Sequence, residues 1–128
     1  MEYITIVIML ALLQYLYFGI LVGRARGAGQ VTAPAVVGDE NFERHFRAHQ
    51  NTLEQLIIFI PAMFACGLFV DGVYVAIVGV LFMIGRALYF TRYVQEPTKR
   101  GPGMLITAVS NLALILLAIV SAVSSLLG

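Results

Sequence analysis

Long apolar runs constrain the fold of this chain more than any other feature of its sequence. Residues 3–22 and 104–127 contain no charged residue, and each run reaches the length of about 20 residues that a bilayer-crossing helix needs. Hydrophobic residues make up 60% of the chain and charged residues only 12%. Because so few charges cannot cover the surface of a soluble domain, the chain is predicted to be an integral membrane protein.

Four apolar runs predict an all-α fold, a four-helix bundle in the membrane. The predicted spans cover residues 3–22, 42–70, 73–93 and 103–127, and the 128 residues form one domain. Asp71 and Gly72 are expected to form a tight turn between the second and third spans. Asp39 is the expected N-cap of the second helix. No positive charge precedes the first run, so we expect that helix to be retained rather than cleaved as a signal peptide.

Positive charge is concentrated at one end of the predicted bundle. The opposite end offers only Glu2 and Asp71 as charged residues. The positive-inside rule predicts that the basic end faces the cytoplasm and that both termini lie on the other side of the membrane. Short connections and the lack of an endoplasmic reticulum retrieval tail favour a bacterial inner membrane. The basic residues are Arg24, Arg26, Arg44, Arg47, Arg86, Arg92, Lys99 and Arg100.

The second helix does not fit the bilayer as a simple span. Its purely apolar part, residues 56–70, covers about 22 Å at 1.5 Å per residue, whereas a bilayer core is roughly 30 Å thick. Either the bilayer thins, or a turn or two of the preceding polar segment, residues 42–55, enters the membrane. Because polar groups at membrane depth are costly, we interpret this segment as a binding or catalytic site.

Two sets of polar side chains are predicted to converge near the basic end. Arg26 and Arg100 lie at the two adjoining connections. Guanidinium groups bind carboxylates and a carboxylate accepts from an ammonium group, so the sets suit a small zwitterionic ligand with several carboxylates. A cation beside a bound thiol would also favour the thiolate. One face of the second helix carries Arg47, Asn51, Glu54 and Gln55, and the third helix carries Arg86, Tyr89 and Tyr93.

Several of these groups also have plainer interpretations. Arg86 and Arg92 could extend to the lipid headgroups, and the two tyrosines of the third helix could belong to an interfacial aromatic belt. Glu43 and Arg47 could form a solvated pair one turn apart. The polar face that begins at Arg47 is harder to explain in this way, because it continues into an apolar helix without a break.

Other chemistries have weaker support in the sequence. His45 and His49 have the spacing of a metal site, but no third ligand is evident, and His49 fits better as a member of the polar face or as a subunit contact. A net charge of +1 without a basic stripe argues against a nucleic-acid partner. Cys66 is predicted to be a buried structural thiol. Ser110 and Asn111 are expected to form hydrogen bonds between helices.

Two motifs in these segments resemble a known family. Residues 43–54, ERHFRAHQNTLE, resemble the ERxxRAxxNxxE signature of the membrane-associated proteins in eicosanoid and glutathione metabolism (MAPEG). Residues 86–93, RALYFTRY, are similar to the RxxYxxxY stretch on the third helix of that family. The length, the four spans and the basic connections agree with this resemblance. His49 matches the RAHxN pattern of the transferase and prostaglandin-synthase branch.

The resemblance implies a homotrimer of four-helix bundles that binds glutathione between neighbouring subunits, near the cytosolic membrane surface. Arg100 falls where leukotriene synthase keeps its thiol-activating arginine, although Lys99 can be aligned there instead. Gln55 stands where the leukotriene branch has a tyrosine. The glutathione contacts carried over by position are Arg26, Arg47, Asn51, Glu54, Arg86, Tyr89 and Tyr93, with His49 and Gln55 as further candidates.

The sequence therefore favours a membrane-bound glutathione transferase or glutathione peroxidase that activates the thiolate for attack on small hydrophobic electrophiles. Glutathione would be a co-substrate, and no metal is required. The alternative is a non-enzymatic lipid-binding or scaffold protein of the same fold, similar to the lipoxygenase activating protein. A small multidrug transporter also has four short spans, but such proteins couple protons through an acidic residue on the first helix. Here that helix has only Gln14 as a strongly polar group.

Overall fold

The computed structural model describes residues 1–128 and contains four long helices and no strand. Helix α1 covers Glu2–Ala28, α2 covers Glu40–Gly67, α3 covers Gly72–Gln95 and α4 covers Gly101–Leu127. A short 3-10 turn, Pro97–Arg100, connects α3 to α4. The predicted all-α four-helix fold is confirmed. Helix α1 is longer than its apolar run and carries Arg24 and Arg26 in its last turns.

Aspartate caps fix the starts of the two central helices. The Asp39 carboxylate accepts a hydrogen bond from the Phe42 N–H at 2.9 Å, so the predicted N-cap of α2 is confirmed. The Asp71 carboxylate accepts from the Val73 N–H at 3.0 Å at the start of α3. These bonds satisfy backbone donors that the first turn of a helix leaves free. Together they set where the polar face of α2 begins and where α3 turns back alongside it.

The outer surface of the bundle is apolar, as a lipid-facing surface must be. Three segments are long and apolar enough to cross a membrane: Glu2–Ala28, Gly72–Gln95 and Pro97–Leu127. Large side chains point outward on these helices, for example Leu16, which is 63% exposed, and Ile77, which is 61% exposed. Helix α2 is not apolar enough over its length to count among them, in agreement with its short apolar part. The protein is an integral membrane protein.

Stacked aromatic rings hold the interior together at two levels. Phe59 of α2 and Phe82 of α3 stack with ring centroids 3.9 Å apart in the main apolar core. Phe18 of α1 and Phe90 of α3 stack at 4.1 Å in a second cluster nearer the basic end. Such pairs bury large apolar areas in fixed geometry. The second cluster packs directly behind the polar residues of α2 and α3.

Helix α4 is joined to α2 and α3 in different ways. Asn111 donates from its side-chain amide to the Gln55 side-chain carbonyl at 3.1 Å, which confirms the predicted bond between helices. The same prediction is wrong for Ser110, whose hydroxyl donates to the Ile106 carbonyl of its own helix at 2.7 Å. Gly103 lies directly against the backbone of Tyr89, where a Cβ atom would collide. This close approach holds the start of α4 beside α3 at the basic end.

Candidate functional site

A cavity of about 380 Å³ opens between α2 and α3 at the basic end of the bundle. Its walls come from one face of α2, from the last turns of α3 and from the connection between α1 and α2. A cavity of this size is in the range of small-molecule sites. The lining residues are Val36, Val37, Phe46, Arg47, Gln50, Asn51, Glu54, Tyr89 and Tyr93.

The α2 wall of the cavity is the polar face that the sequence predicts. Arg47, Asn51 and Glu54 all line it, in the phase expected for positions i, i+4 and i+7. The adjoining face of this part of α2 is buried against the other helices through Ala48 and Thr52, which are 0% and 1% exposed. Packing of that face fixes the rotation of α2 and therefore turns the three polar side chains toward the cavity.

The two charged side chains of the α2 wall lie apart and do not form ion pairs. Arg47 and Glu54 lie seven residues apart, which is about 10 Å along the axis at 1.5 Å per residue. Neither side chain forms an ion pair or a hydrogen bond within the chain, and Glu43 and Arg47 do not form the solvated pair that their spacing allows. Glu40 and Arg44 form the pair one turn apart instead. The cavity lining therefore includes a cation and an anion that form no ion pair within the chain.

Two tyrosines form the α3 wall. The rings of Tyr89 and Tyr93 stack with centroids 5.6 Å apart, and both residues line the cavity. Tyr89 is only 4% exposed because α4 packs over its backbone at Gly103. Neither phenol hydroxyl has a hydrogen-bond partner in the chain, so both can donate to or accept from a ligand.

The connection between α1 and α2 closes one side of the cavity with Val36 and Val37. Arg26, at the end of α1, donates to the Ala35 carbonyl at 2.7 Å, and its guanidinium lies 4.5 Å over the Phe42 ring. Both contacts hold the connection against the start of α2. The Arg26 side chain does not line the cavity, so its predicted contact with a ligand stays a prediction.

Arg86 lies behind the α2 wall rather than on the cavity surface. It is 0% exposed, and it donates to the Asn51 side-chain oxygen at 2.8 Å and to the Thr52 hydroxyl at 2.9 Å. Its guanidinium also lies 4.3 Å over the Tyr89 ring. In this arrangement Arg86 contacts two residues of the cavity wall without itself reaching the cavity.

The remaining predicted site residues lie outside the cavity lining. Arg100 is exposed at the junction of the 3-10 turn with α4 and donates to the Pro97 carbonyl at 3.4 Å. His49 faces α1, where its ring stacks on Tyr15 at 4.2 Å. Gln55 is engaged by Asn111. The roles predicted for these residues, and the alternative alignment of Lys99, stay predictions.

The two histidines of α2 have different neighbours. His45 Nδ1 lies 2.8 Å from the Asn41 carbonyl, whereas His49 Nε2 lies 3.2 Å from the Tyr15 carbonyl on another helix. No group of three His, Cys, Asp or Glu side chains is placed to hold a metal ion. The donor set of the cavity is made of guanidinium, amide, carboxylate and phenol groups, which suits an organic ligand.

Sequence reasoning missed four residues of the cavity lining. Gln50 lies three residues after Arg47, so the phase of the polar face could have revealed it. Phe46 looks like an ordinary apolar residue of α2. Val36 and Val37 lie on an irregular connection, where no periodicity indicates which way a side chain points.

The long apolar helices and the polar cavity at their basic end define a polytopic membrane protein with a cavity at one end of its bundle. Residues 4–120 match the model of the MAPEG family. The chain therefore belongs to this family, as the two motifs predict.

Three relatives illustrate the range of the similarity. An uncharacterized protein of Synechocystis sp. is 39% identical over 112 residues, which is 88% of this chain and 82% of the relative. Human microsomal glutathione S-transferase 2 is 41% identical over 90 residues, 70% of this chain and 61% of the relative. Bovine leukotriene C4 synthase is 31% identical over 94 residues, 73% and 63% of the two chains. The chain thus spans less than two thirds of the length of these two mammalian enzymes.

Proposed function

We propose that this protein is a membrane-bound glutathione transferase that conjugates glutathione to lipophilic electrophiles. The observation that carries the proposal is the set of polar groups around one cavity that keep donors or acceptors free for a ligand, namely Arg47, Asn51, Glu54, Tyr89 and Tyr93. The name of the relative microsomal glutathione S-transferase 2 supports glutathione as the ligand. A glutathione peroxidase activity toward lipid hydroperoxides would use the same bound thiolate.

The charges of the cavity match those of glutathione. This tripeptide carries two carboxylates, one ammonium group and one thiol. Arg47 can bind a carboxylate through charge-assisted hydrogen bonds, and Glu54 can accept from the ammonium group about 10 Å away. Tyr89 and Tyr93 provide hydroxyls between α2 and α3 for the peptide groups. Each end of the ligand thus meets a group of opposite charge.

The chemistry requires a thiolate and a hydrophobic partner. In the proposed step the thiol proton leaves to water, the sulfur attacks an electrophilic carbon, a sulfur–carbon bond forms, and the leaving group departs with its electron pair. Arg100 is proposed as the cation that stabilises the thiolate. Electrophiles dissolved in the bilayer would reach the site along the apolar surface of the bundle, where Leu105 and Ile84 are exposed.

We also propose a homotrimer with the basic end in the cytoplasm of a bacterial cell. Arg26 and Arg100 carry ligand roles in the family resemblance, yet neither lines the cavity of one chain. A neighbouring subunit could bring such residues to the same ligand. The concentration of basic residues at one end supports the cytoplasmic placement.

Conjugation of glutathione to chlorodinitrobenzene by the purified protein tests the proposal. Arg47→Ala is expected to lower kcat/KM for glutathione by tenfold or more, since a charge-assisted hydrogen bond contributes roughly 1.5–3 kcal/mol. Arg100→Ala is expected to lower kcat. Arg92→Ala is the matched control, because Arg92 is exposed on α3 outside the cavity lining. Wild-type activity at background, or unchanged rates in both variants, would contradict the transferase proposal and leave the lipid-binding alternative.

A further inference from the structure

Arg86 is a buried charge that the family comparison alone does not explain. The side chain is 0% exposed, and no carboxylate lies within ion-pair distance of it. Burial of a charge without such a partner is costly unless hydrogen bonds satisfy it. The acceptors around the guanidinium offset part of this cost, and they tie Arg86 to its neighbours.

Two threonine hydroxyls beside Arg86 can only accept from it, because each already donates its own proton to a backbone carbonyl. The Thr52 hydroxyl donates to the Ala48 carbonyl at 2.9 Å, and the Thr107 hydroxyl donates to the Gly103 carbonyl at 2.8 Å. Their lone pairs are left for Arg86, which donates to them at 2.9 and 3.4 Å. A guanidinium has five N–H donors and no acceptor, and here its two terminal nitrogens find acceptors whereas the buried Nε has no partner. The contacts tie α3 to α2 and α4.

Asn51 completes this set of acceptors and connects it to the cavity. Its side-chain oxygen accepts from Arg86 at 2.8 Å, while its amide nitrogen has no partner in the chain. Because Arg86 can only donate, the amide oxygen must face it. The NH₂ group is thereby turned away from Arg86, and Asn51 lines the cavity beside Arg47.

We infer that Arg86 is a positioning residue that locks the Asn51 amide with its two N–H donors facing the cavity. This inference rests on the proposed function and deepens it. Asn51 and Arg47 then present donors only, one turn apart on α2. The part of the ligand that binds there carries acceptors, and a carboxylate of glutathione fits, whereas its ammonium group does not. Arg86 acts on the ligand through Asn51 and not by direct contact.

A double-mutant cycle on glutathione affinity tests this role. The four proteins are wild type, Arg86→Met, Asn51→Ala and the double variant, with Kd measured by calorimetry in detergent. We expect Arg86→Met to raise Kd about tenfold in the wild-type background and less than about threefold in the Asn51→Ala background. A direct ligand contact would give additive effects, and a purely structural residue would leave Kd unchanged in both backgrounds. Either of those outcomes overturns the inference.

Two further variants keep the test informative if Arg86→Met does not fold. Asn51→Asp leaves Arg86 in place and gives it a carboxylate partner, but it removes both donors from the cavity. We expect this variant to be at least as thermostable as wild type and to bind glutathione at least tenfold more weakly. Wild-type affinity in Asn51→Asp overturns the inference. Ser110→Ala is the structural control on α4, since the buried Ser110 hydroxyl bonds only to the Ile106 carbonyl of its own helix, and its Kd is expected within about twofold of wild type.

The double-mutant cycle also distinguishes a failure of the positioning role of Arg86 from a failure of the proposed function. Absence of glutathione binding by the wild-type protein would overturn the proposed function and the ligand together. Wild-type binding combined with additive effects would overturn only the positioning role of Arg86. Arg86→Lys provides a rescue test, because a lysine keeps one donor and the charge. Its Kd is expected between those of wild type and Arg86→Met, and a Kd equal to that of Arg86→Met would contradict the role.

Discussion

Arg47 and Glu54 are opposite charges on one helix face that do not pair with each other or with any other residue in the chain. The same helix does form a pair where two charges lie one turn apart, between Glu40 and Arg44. Unpaired charges beside a cavity contribute little to the stability of the fold, because an exposed ion pair itself contributes only about 0–1 kcal/mol. In the proposed function, glutathione supplies the missing partners.

Glu54→Gln should separate ligand binding from stability. The glutamine keeps the shape of the side chain but removes the charge proposed to meet the ammonium group of glutathione. We expect glutathione Kd to rise about tenfold, the lower end of what a charged hydrogen bond contributes, while the Tm changes by less than about 2 °C. Calorimetry and thermal unfolding in detergent measure the two quantities.

Glu96→Gln is the matched control for that substitution. Glu96 is exposed between α3 and the 3-10 turn, and it does not line the cavity. Removal of the Glu96 charge should leave both the glutathione Kd and the Tm unchanged. Equal effects of the two substitutions on Kd would mean that net charge, and not a specific contact of Glu54, sets the affinity.

The sequence predicts these cavity residues because helical phase is a local property. Positions 47, 51 and 54 share a face of any α-helix, and the structure turns that face to the cavity. The same reasoning could not show that Arg86 is buried, because its surroundings come from Thr52 and Thr107 on two other helices. It also grouped Gln55 with the cavity face, whereas Asn111 of α4 engages that side chain.

At the scale of elements, the close approach of α4 to α3 supports the cavity. Gly103 lies against the Tyr89 backbone, and Gly85 lies against α4, where an added Cβ would be 2.8 Å from an Ile106 side-chain carbon. Small residues at such positions allow two membrane helices to pack closely. The contact fixes Tyr89 and places the basic 3-10 turn beside it.

Gly103→Ala should disturb this contact. A methyl group there collides with backbone atoms of Tyr89, which cannot move as a flexible side chain would. We expect a loss of about 1–3 kcal/mol in the free energy of unfolding and weaker glutathione binding through displacement of Tyr89. Thermal unfolding in detergent measures the first effect.

Gly101→Ala is the control on the same helix. Nothing lies within 4 Å of a Cβ atom at that position, so the added methyl group meets open space. Its stability should equal that of wild type or exceed it slightly, since alanine is the better helix former. If Gly101→Ala lost as much stability as Gly103→Ala, the close approach of Gly103 to Tyr89 would not be the reason for a glycine at position 103.

Local capping residues set the starts of α2 and α3, whereas the end of α1 depends on contacts with other parts of the chain. Asp39 and Asp71 are recognisable caps, and both helix starts follow from them. The end of α1 does not follow from hydropathy, because the helix continues beyond its apolar run as far as Ala28. Its last turn is held from outside by the contacts of Arg26 with Ala35 and Phe42, which join residues distant in the sequence.

At the scale of the whole molecule, charge and cavity lie at the same end of an apolar bundle. Arg44 at the start of α2 donates to the Gln95 carbonyl at the end of α3, at 3.0 Å, so these two helix ends meet. The end of α1 joins them through Arg26. A water-soluble ligand would therefore enter from the basic side, while hydrophobic substrates would come from the lipid.

The orientation of the bundle can be measured with single cysteines. Cys66 is buried and donates to the Leu114 carbonyl, so the native thiol gives little background. In spheroplasts of a bacterial host, a membrane-impermeant maleimide should label Gly128→Cys and not Lys99→Cys, because the positive-inside rule places the basic end in the cytoplasm. Labelling of both sites after lysis is the control. The reverse pattern in intact spheroplasts would contradict the proposed orientation.

A structure of the protein determined at saturating glutathione tests the central claim most directly. We predict ligand density in the cavity between α2 and α3, with one carboxylate within hydrogen-bond distance of Arg47 and of the Asn51 amide nitrogen. The ammonium group should lie beside Glu54. An empty cavity at saturating glutathione, or a ligand bound away from these three residues, would contradict the account.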